Sequence, residues 1–233
     1  MILAQLDNAY RYNSDTLVLY DFISKILKPY FKGEVLDVGC GCGILGLLLK
    51  RDFDGINLNL LDIQEINLEL SRQNANTNSL EAKFIHADFT KFKSESKFDL
   101  IISNPPFYHD GVSKSTNEHI AISRYATHLP LRDFIQSVNS NLKSRGEMIF
   151  CYDVASLAEI FAILKEFKMT PICIKFIHSK ANKDANLVIF HVKKSSHSKC
   201  KIAPPLFMMH GDDFSDEAKR IFSKAQTKSE LWQ

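Results

Sequence analysis

The sequence predicts an α/β fold, a mostly parallel sheet of seven strands with helices on both faces and a C-terminal hairpin. Three observations carry this. Short apolar runs alternate along the chain with longer segments of helical spacing. A glycine turn, Gly39-Cys40-Gly41-Cys42-Gly43, stands between the first apolar run and a helix. Four successive runs end in polar or turn residues, and in an open α/β sheet that edge is where ligands bind.

The elements follow in order. Residues 13–28 have helical spacing, with Leu17, Tyr20, Ile23 and Leu27 on one face. Asn13, Ser14 and Asp15 are candidate N-caps, and Pro29 and Gly33 stop the helix. Residues 34–36 form a buried strand, 44–50 a buried helix, and 57–61 a second strand that ends in Asp62. A helix is expected over 64–76, with 74–79 read as loop. The third strand, 82–85, ends in His86-Ala87-Asp88, and the fourth, 98–102, ends in Asn104-Pro105-Pro106-Phe107. Residues 107–128 lack a clean period, and a loop of about 20 residues inside a compact domain is usually functional. A helix over 131–142, a strand over 147–152 and a helix over 156–168 come next. Runs 172–178 and 186–192 pair as a final hairpin, and Pro204-Pro205 interrupts regular structure beyond it. The expected organisation is a single domain over 1–233. It comprises a helical extension (1–32), a core (33–195) and a C-terminal extension (196–233).

Composition narrows the class. With 233 residues and 45% hydrophobic content, the chain can bury a sizeable core. No run approaches the ~18 apolar residues of a membrane span, and the first residues lack the basic start of a signal peptide. A cytoplasmic location is expected. The five cysteines form no C-x-x-C pair and their count is odd, which argues against a disulfide framework and against zinc; no metal is expected. The net charge of +2 hides an asymmetry. Residues 171–210 hold seven lysines against the single Asp184, with four histidines, and such a face attracts phosphates.

Two motifs carry chemistry. In Asn104-Pro105-Pro106-Phe107, the Asn side-chain oxygen and a nearby backbone carbonyl can both accept hydrogen bonds from one NH2 group, while the aromatic ring stacks on the ring that carries it. Proline removes a competing N–H and biases Asn104 to extended geometry at the strand's end. In Asp37-Val38-Gly39-Cys40-Gly41-Cys42-Gly43, glycines let the backbone approach a ligand that a Cβ would push away. Asp62, one strand on, can accept both hydroxyls of a ribose.

With these residues in hand, the chain resembles the class I S-adenosylmethionine-dependent methyltransferases, which have a Rossmann-like sheet. The likeness covers residues 37–43, Asp62, Asp88 and residues 104–107, the last resembling the signature of enzymes that methylate exocyclic amines or a glutamine amide. A narrower likeness is to the bacterial tRNA adenine N6-methyltransferases that modify the adenosine beside the anticodon of a valine tRNA. It is carried by Tyr10-Arg11-Tyr12-Asn13-Ser14-Asp15-Thr16-Leu17-Val18-Leu19 and by Asn117-Glu118-His119-Ile120-Ala121-Ile122-Ser123-Arg124-Tyr125. Ala185-Asn186-Leu187-Val188 and Ile202-Ala203-Pro204-Pro205-Leu206-Phe207 extend it. Phe107 stands where that family often has Tyr.

The resemblance implies S-adenosylmethionine as cofactor and an unpaired adenosine of tRNA as partner. Asn104, Pro105 and Phe107 would hold and stack on the target base. Gly39, Cys40 and Gly41 would meet the methionine moiety by their backbone. Asp37 would orient that turn or reach the amino group through water. Asp62 would take the ribose, Ile63 the adenine face, Asp88 the adenine amine, and Phe89 would pack beside it. Asp15 and Thr16 would close over the methionine end. Tyr108, His119, Arg124 and Tyr125 are candidates for the RNA side, and Lys180, Lys183, Lys193 and Lys194 for phosphates.

Four other readings remain open. Residues 105–111 also resemble the rRNA guanine N2-methyltransferases, which usually carry a duplicated domain in front. A protein glutamine N5-methyltransferase uses a similar Asn-Pro-Pro-aromatic site. Gly41-Cys42-Gly43-Ile44-Leu45-Gly46 fits the fingerprint of an NAD-dependent oxidoreductase. A non-catalytic RNA-binding protein could keep the same fold.

Overall fold

The computed structural model describes residues 1–5, 13–107 and 129–231. The chain opens with strand β1 (Ile2–Gln5) and helix α1 (Ser14–Ile26). The alternating core follows: β2 (Gly33–Val38), α2 (Ile44–Asp52), β3 (Ile56–Asp62), α3 (Glu65–Thr77), β4 (Lys83–His86), β5 (Phe98–Ser103), α4 (Leu131–Asn141), β6 (Leu142–Asp153), α5 (Leu157–Glu166), β7 (Met169–Lys180) and β8 (Ala185–Lys194). The last part adds β9 (Lys201–Ile202), β10 (Leu206–His210), β11 (Asp213–Phe214), α6 (Asp216–Ala225) and β12 (Lys228–Leu231).

The seven expected strands are present in the order β4-β3-β2-β5-β6-β8-β7. The first five run parallel, and β8 and β7 form the antiparallel hairpin that completes them. The sheet does not stop there. Among the described residues, β10 adds parallel to β7, β11 pairs antiparallel with β10, and β9 pairs with β7 ahead of the Pro204-Pro205 break. The prolines interrupt one edge strand rather than ending the sheet, because an edge position tolerates a missing N–H.

The two faces are covered separately. α1, α2, α3 and α6 pack on one face over Val35, Leu58, Leu60, Ile102 and Ile149. α4 and α5 pack on the other over Leu36, Ile101, Met148, Phe150 and Phe190. Strands buried from both sides are rich in apolar residues, as in Leu60-Leu61 of β3 and Leu100-Ile101-Ile102 of β5. α1 starts where the capping chemistry says it should: Asn13 Oδ1 accepts from the N–H groups of Asp15 and Thr16.

Two expectations are corrected. Residues 74–77 belong to α3, and Asn74 is fully buried, because its amide is consumed by bonds to two other segments described below. The N-terminal segment is not helical throughout. β1 pairs parallel with β12, so the two ends of the described chain meet in a small second sheet. The Met1 amino group donates to Gln226 O at 2.7 Å, and the Lys228 N–H donates to Met1 O at 2.9 Å.

Candidate active site

The strand order reverses between β2 and β5, and a cleft opens at the carboxyl ends of β2, β3, β4 and β5, where open α/β sheets bind ligands. The cleft, with its open mouth, holds about 970 Å³ and is lined from each strand end in turn. Thr16, Asp37, Gly39, Cys40, Gly41, Asp62, Ile63, Asp88, Phe89 and Asn104, all singled out in sequence, line it together.

The glycine turn follows β2. Gly41 has φ +55° and open space where a Cβ would point, so the backbone itself forms the wall. Gly43 has φ +81°, and a Cβ there would lie 3.0 Å from the Ser71 side chain as α2 begins. The N–H groups of the turn serve the protein. Those of Gly39 and Cys40 donate to Leu61 O (2.8 and 3.0 Å), and that of Gly41 to Asp62 Oδ2 (2.9 Å). Backbone contact from Gly39, Cys40 and Gly41 to a ligand therefore falls to their carbonyls and to the bare Cα surface, not to these donors.

Asp37 orients the turn. Its Oδ2 accepts the Gly46 N–H at 2.9 Å, inside the first turn of α2. Burial pushes its carboxyl up to about 8, with Asp62 adding to the rise. Asp62 ends β3, and its Oδ1 accepts from Gln64 N (2.9 Å) and Asn67 Nδ2 (3.1 Å). Next to it, Ile63 is 46% exposed, an apolar side chain held at the cleft rather than in the core. Phe89 is buried among the residues under α4 and still reaches the cleft wall. Asp88 is held below the usual carboxylate range, chiefly by the Thr90 hydroxyl at 2.6 Å.

Asn104 follows β5 directly, as its place before proline requires. Its Nδ2 donates to Thr16 Oγ1 at 2.9 Å, and the Cys151 thiol donates to its Oδ1 at 3.0 Å. Pro105 is buried behind it and Pro106 lines the cleft. The Phe107 ring lies 5.7 Å from that of Tyr152 at 54°, packed against the core, and unlike Pro106 it is not among the residues lining the cleft. Asp15 is near but not in the wall. Its carboxylate accepts from Asn13 Nδ2 at 3.0 Å, and burial raises its pKa.

The RNA-side candidates divide. Tyr108, His119, Arg124 and Tyr125 lie outside the described residues. Lys180 and Lys183 sit at the β7–β8 turn, beside the end of β6 and hence on the cleft's edge of the sheet. Lys193 and Lys194 do not. Lys193 pairs in register with Glu147, three residues before the Phe150 that pairs with Ser103, so it lies about 10 Å down the sheet. Lys193 bridges Glu147 at 2.6 Å, and Lys194 donates to Asn139 O and Leu142 O at the end of α4. The strand's direction separates four lysines that sequence grouped together.

Several site residues escaped the sequence reading. Gln64, Asn67 and Leu129 line the cleft. Asn74 Nδ2 donates to Cys42 O (2.9 Å) and Ala4 O (3.1 Å), and its Oδ1 accepts from Ala4 N (2.7 Å), so it ties β1 to the glycine turn. Asn67, Asn74 and Asn78 are spaced by seven and four, one face of a helix, and that spacing was a usable signal. Cys151 gave none, since only the β5–β6 pairing brings it to Asn104.

The methyltransferase small domain family model matches residues 16–167. The chain is 29% identical over 174 residues to the tRNA1(Val) (adenine(37)-N6)-methyltransferase of Christiangramia forsetii, covering 71% of this chain and 72% of that protein. It is 46% identical over 81 residues to ribosomal RNA small subunit methyltransferase C of Actinobacillus pleuropneumoniae serotype 7, covering 35% of this chain. The chain spans about a quarter (24%) of the length of the first curated relatives it matches. A solved T. thermophilus 16S rRNA N2 methyltransferase, in complex with AdoMet and guanosine, superposes with a TM-score of 0.58 at 20% identity. That superposition covers 81% of this chain and 45% of that one. S-adenosylmethionine, the cofactor the sequence implies, suits a cleft with a Cβ-free turn on one side, a carboxylate at the end of β3, and Ile63 and Phe89 as apolar walls. On the fold, the glycine turn and the match over most of its length, the chain belongs to the methyltransferase small domain family, with the α/β fold of a class I methyltransferase.

Proposed function

We propose that this protein transfers a methyl group from S-adenosylmethionine to the exocyclic N6 amine of an unpaired adenosine in tRNA, beside the anticodon of a valine tRNA. The observation that carries this reading is Asn104, placed in the cleft wall at the end of β5, with its Nδ2 engaged by Thr16 Oγ1. The relative that matches over 71% of this chain supports the tRNA substrate.

When bound, the cofactor supplies an electrophilic methyl group on a sulfonium. The residues of the chain do the rest. Asn104 Oδ1 and the Pro105 carbonyl accept the two N–H groups of the target amine. Those bonds strengthen as positive charge develops on nitrogen, which is the direction that lowers a barrier. They also favour a pyramidal nitrogen whose lone pair faces the methyl group. Phe107 stacks on the base and fixes its plane. No general base acts at the transferring step; with the sulfonium leaving as the neutral thioether, the methylated nitrogen then gives up one N–H proton to solvent. Unpaired bases are splayed out at lower cost than duplex bases, which suits an anticodon loop. Lys180 and Lys183 bind phosphates on the cleft's edge, with Tyr108, His119, Arg124 and Tyr125 as further contacts to RNA.

The shorter match to ribosomal RNA small subunit methyltransferase C favours a second reading, an rRNA guanine N2 amine at the same site. One experiment separates the two. The protein is incubated with labelled S-adenosylmethionine and RNA from cells lacking it, and the nucleosides are analysed. N6-methyladenosine in tRNA supports the first reading. N2-methylguanosine in rRNA supports the second, and label in neither sends the search to protein glutamine. Asn104→Ala is expected to abolish turnover while S-adenosylhomocysteine still binds by calorimetry; full activity in that variant would overturn the mechanism.

A further inference from the structure

We infer that Thr16 and Cys151 are positioning residues that set the orientation of the Asn104 amide, so that the cleft presents an acceptor and takes only a ligand carrying N–H donors. The inference rests on the amine-methylating reading of the site and deepens it.

An Asn side chain can be turned over at almost no steric cost, because its oxygen and nitrogen are nearly the same size. In one orientation Asn104 presents an oxygen to the cleft and accepts from an amine. In the other it presents an NH2, which repels an amine and welcomes a carbonyl. Something must choose, and three elements meet to do so. α1 brings Thr16 in its first turn, β5 ends at Asn104, and β6 runs beside β5 with Cys151 fully buried beneath α1. Thr16 Oγ1 accepts from Asn104 Nδ2 at 2.9 Å, and the Cys151 thiol donates to Asn104 Oδ1 at 3.0 Å.

A hydroxyl and a thiol can each donate or accept; as placed here, Thr16 accepts from the nitrogen and Cys151 donates to the oxygen, and the two bonds together hold the amide. Burial and the neighbouring Asp15 carboxylate hold the Cys151 pKa well above its ordinary value, so Cys151 keeps its proton and remains a donor at neutral pH. A carbonyl oxygen has two lone pairs. Cys151 takes one and leaves the other for the incoming amine. The network also links the site to α1, so Thr16 serves the target base as well as the cofactor cleft it lines.

The test pairs two readouts. The first is independent of activity. In protein carrying 15N-labelled asparagine, the Asn104 side-chain amide is assigned by its loss in Asn104→Ala. Wild type and Thr16→Ser are expected to show one slowly exchanging Nδ2 proton, and Thr16→Val to lose it. The second is steady-state methylation of the RNA identified above. Thr16→Val and Cys151→Ala are expected to lower kcat about tenfold with the KM for RNA changed less than about twofold. Thr16→Ser, which keeps the hydroxyl, and Cys151→Ser, which puts a hydroxyl donor in place of the thiol, are expected to restore it. An Asn104 amide unchanged in Thr16→Val overturns the inference, as does undiminished kcat in both Thr16→Val and Cys151→Ala. A wild type that methylates no RNA overturns the RNA reading alone, and the amide signals still decide whether Thr16 and Cys151 orient Asn104.

Discussion

Asp37 shows how one buried carboxyl gives the site a pH dependence. It is 1% exposed, its one acceptor bond goes to Gly46 N–H, and burial raises its pKa to about 8 from 3.8. The folded state therefore binds this proton more tightly than the unfolded state. Its contribution to stability is full below about pH 4 and is lost as pH rises through about 8. Asp37→Asn keeps a carbonyl oxygen for Gly46 and removes the titration. The variant is expected to fold, and its thermal midpoint relative to wild type to climb between about pH 4 and about pH 8. A constant difference across that window would show that Asp37 does not titrate there. At the far end of the sheet Glu147 has the opposite sign. His191 first, then Lys193, hold its pKa at about 2, so its contribution persists above about 4.5 and fails as pH falls towards about 2.

The element that organises the site from behind is α3. Its N-terminal turn gives Asn67 to Asp62, and its C-terminal turns give Asn74 and Asn78 to β1. Asn74 alone joins Ala4 of β1 to the Cys42 carbonyl of the glycine turn. Asn74→Ala leaves the Ala4 N–H and two carbonyls without this partner, and is expected to cost about 2 kcal/mol of stability. Urea unfolding with and without S-adenosylhomocysteine checks this. The midpoint should fall, and the gain on adding ligand should shrink because the turn loses its anchor. An unchanged ligand gain would mean that the turn holds its shape without α3.

For the molecule as a whole, strand direction decides what the basic segment can do. Lys180 and Lys183 lie on the cleft's edge, while Lys193 and Lys194 serve Glu147 and the end of α4. Replacing Lys180 and Lys183 with Ala is expected to weaken RNA binding and flatten its salt slope by about 0.7 for each phosphate no longer neutralised. Replacing Lys193 and Lys194 is expected to lower the thermal midpoint and leave the slope unchanged. Filter binding at several salt concentrations gives both slopes, and equal slopes for the two double variants would refute the division. The C-terminal extension closes onto α1 and α2. Arg51 Nη1 donates to Ala225 O at 2.6 Å, and Lys224 reaches Asp21 of α1 at 3.5 Å.

The sequence by itself determined the seven core strands, helices α1 to α5 and the end of the sheet at which the ligand binds, but not β1, α6 or β9 to β12. Those features are local. Periodicity marks β3 and α1 within a few residues, Asn13 marks a helix start, and Gly41, Asp62 and Asn104 occupy fixed places at or just after strand ends. Tertiary structure decided everything that depends on which strands are neighbours. The β5–β6 pairing brings Cys151 to Asn104, 47 residues apart. The antiparallel run of β8 carries Lys193 away from Lys183, and the β1–β12 pair joins residues more than 220 apart. Such contacts leave no period in the sequence, because a hydrogen bond across the fold constrains two residues and nothing between them.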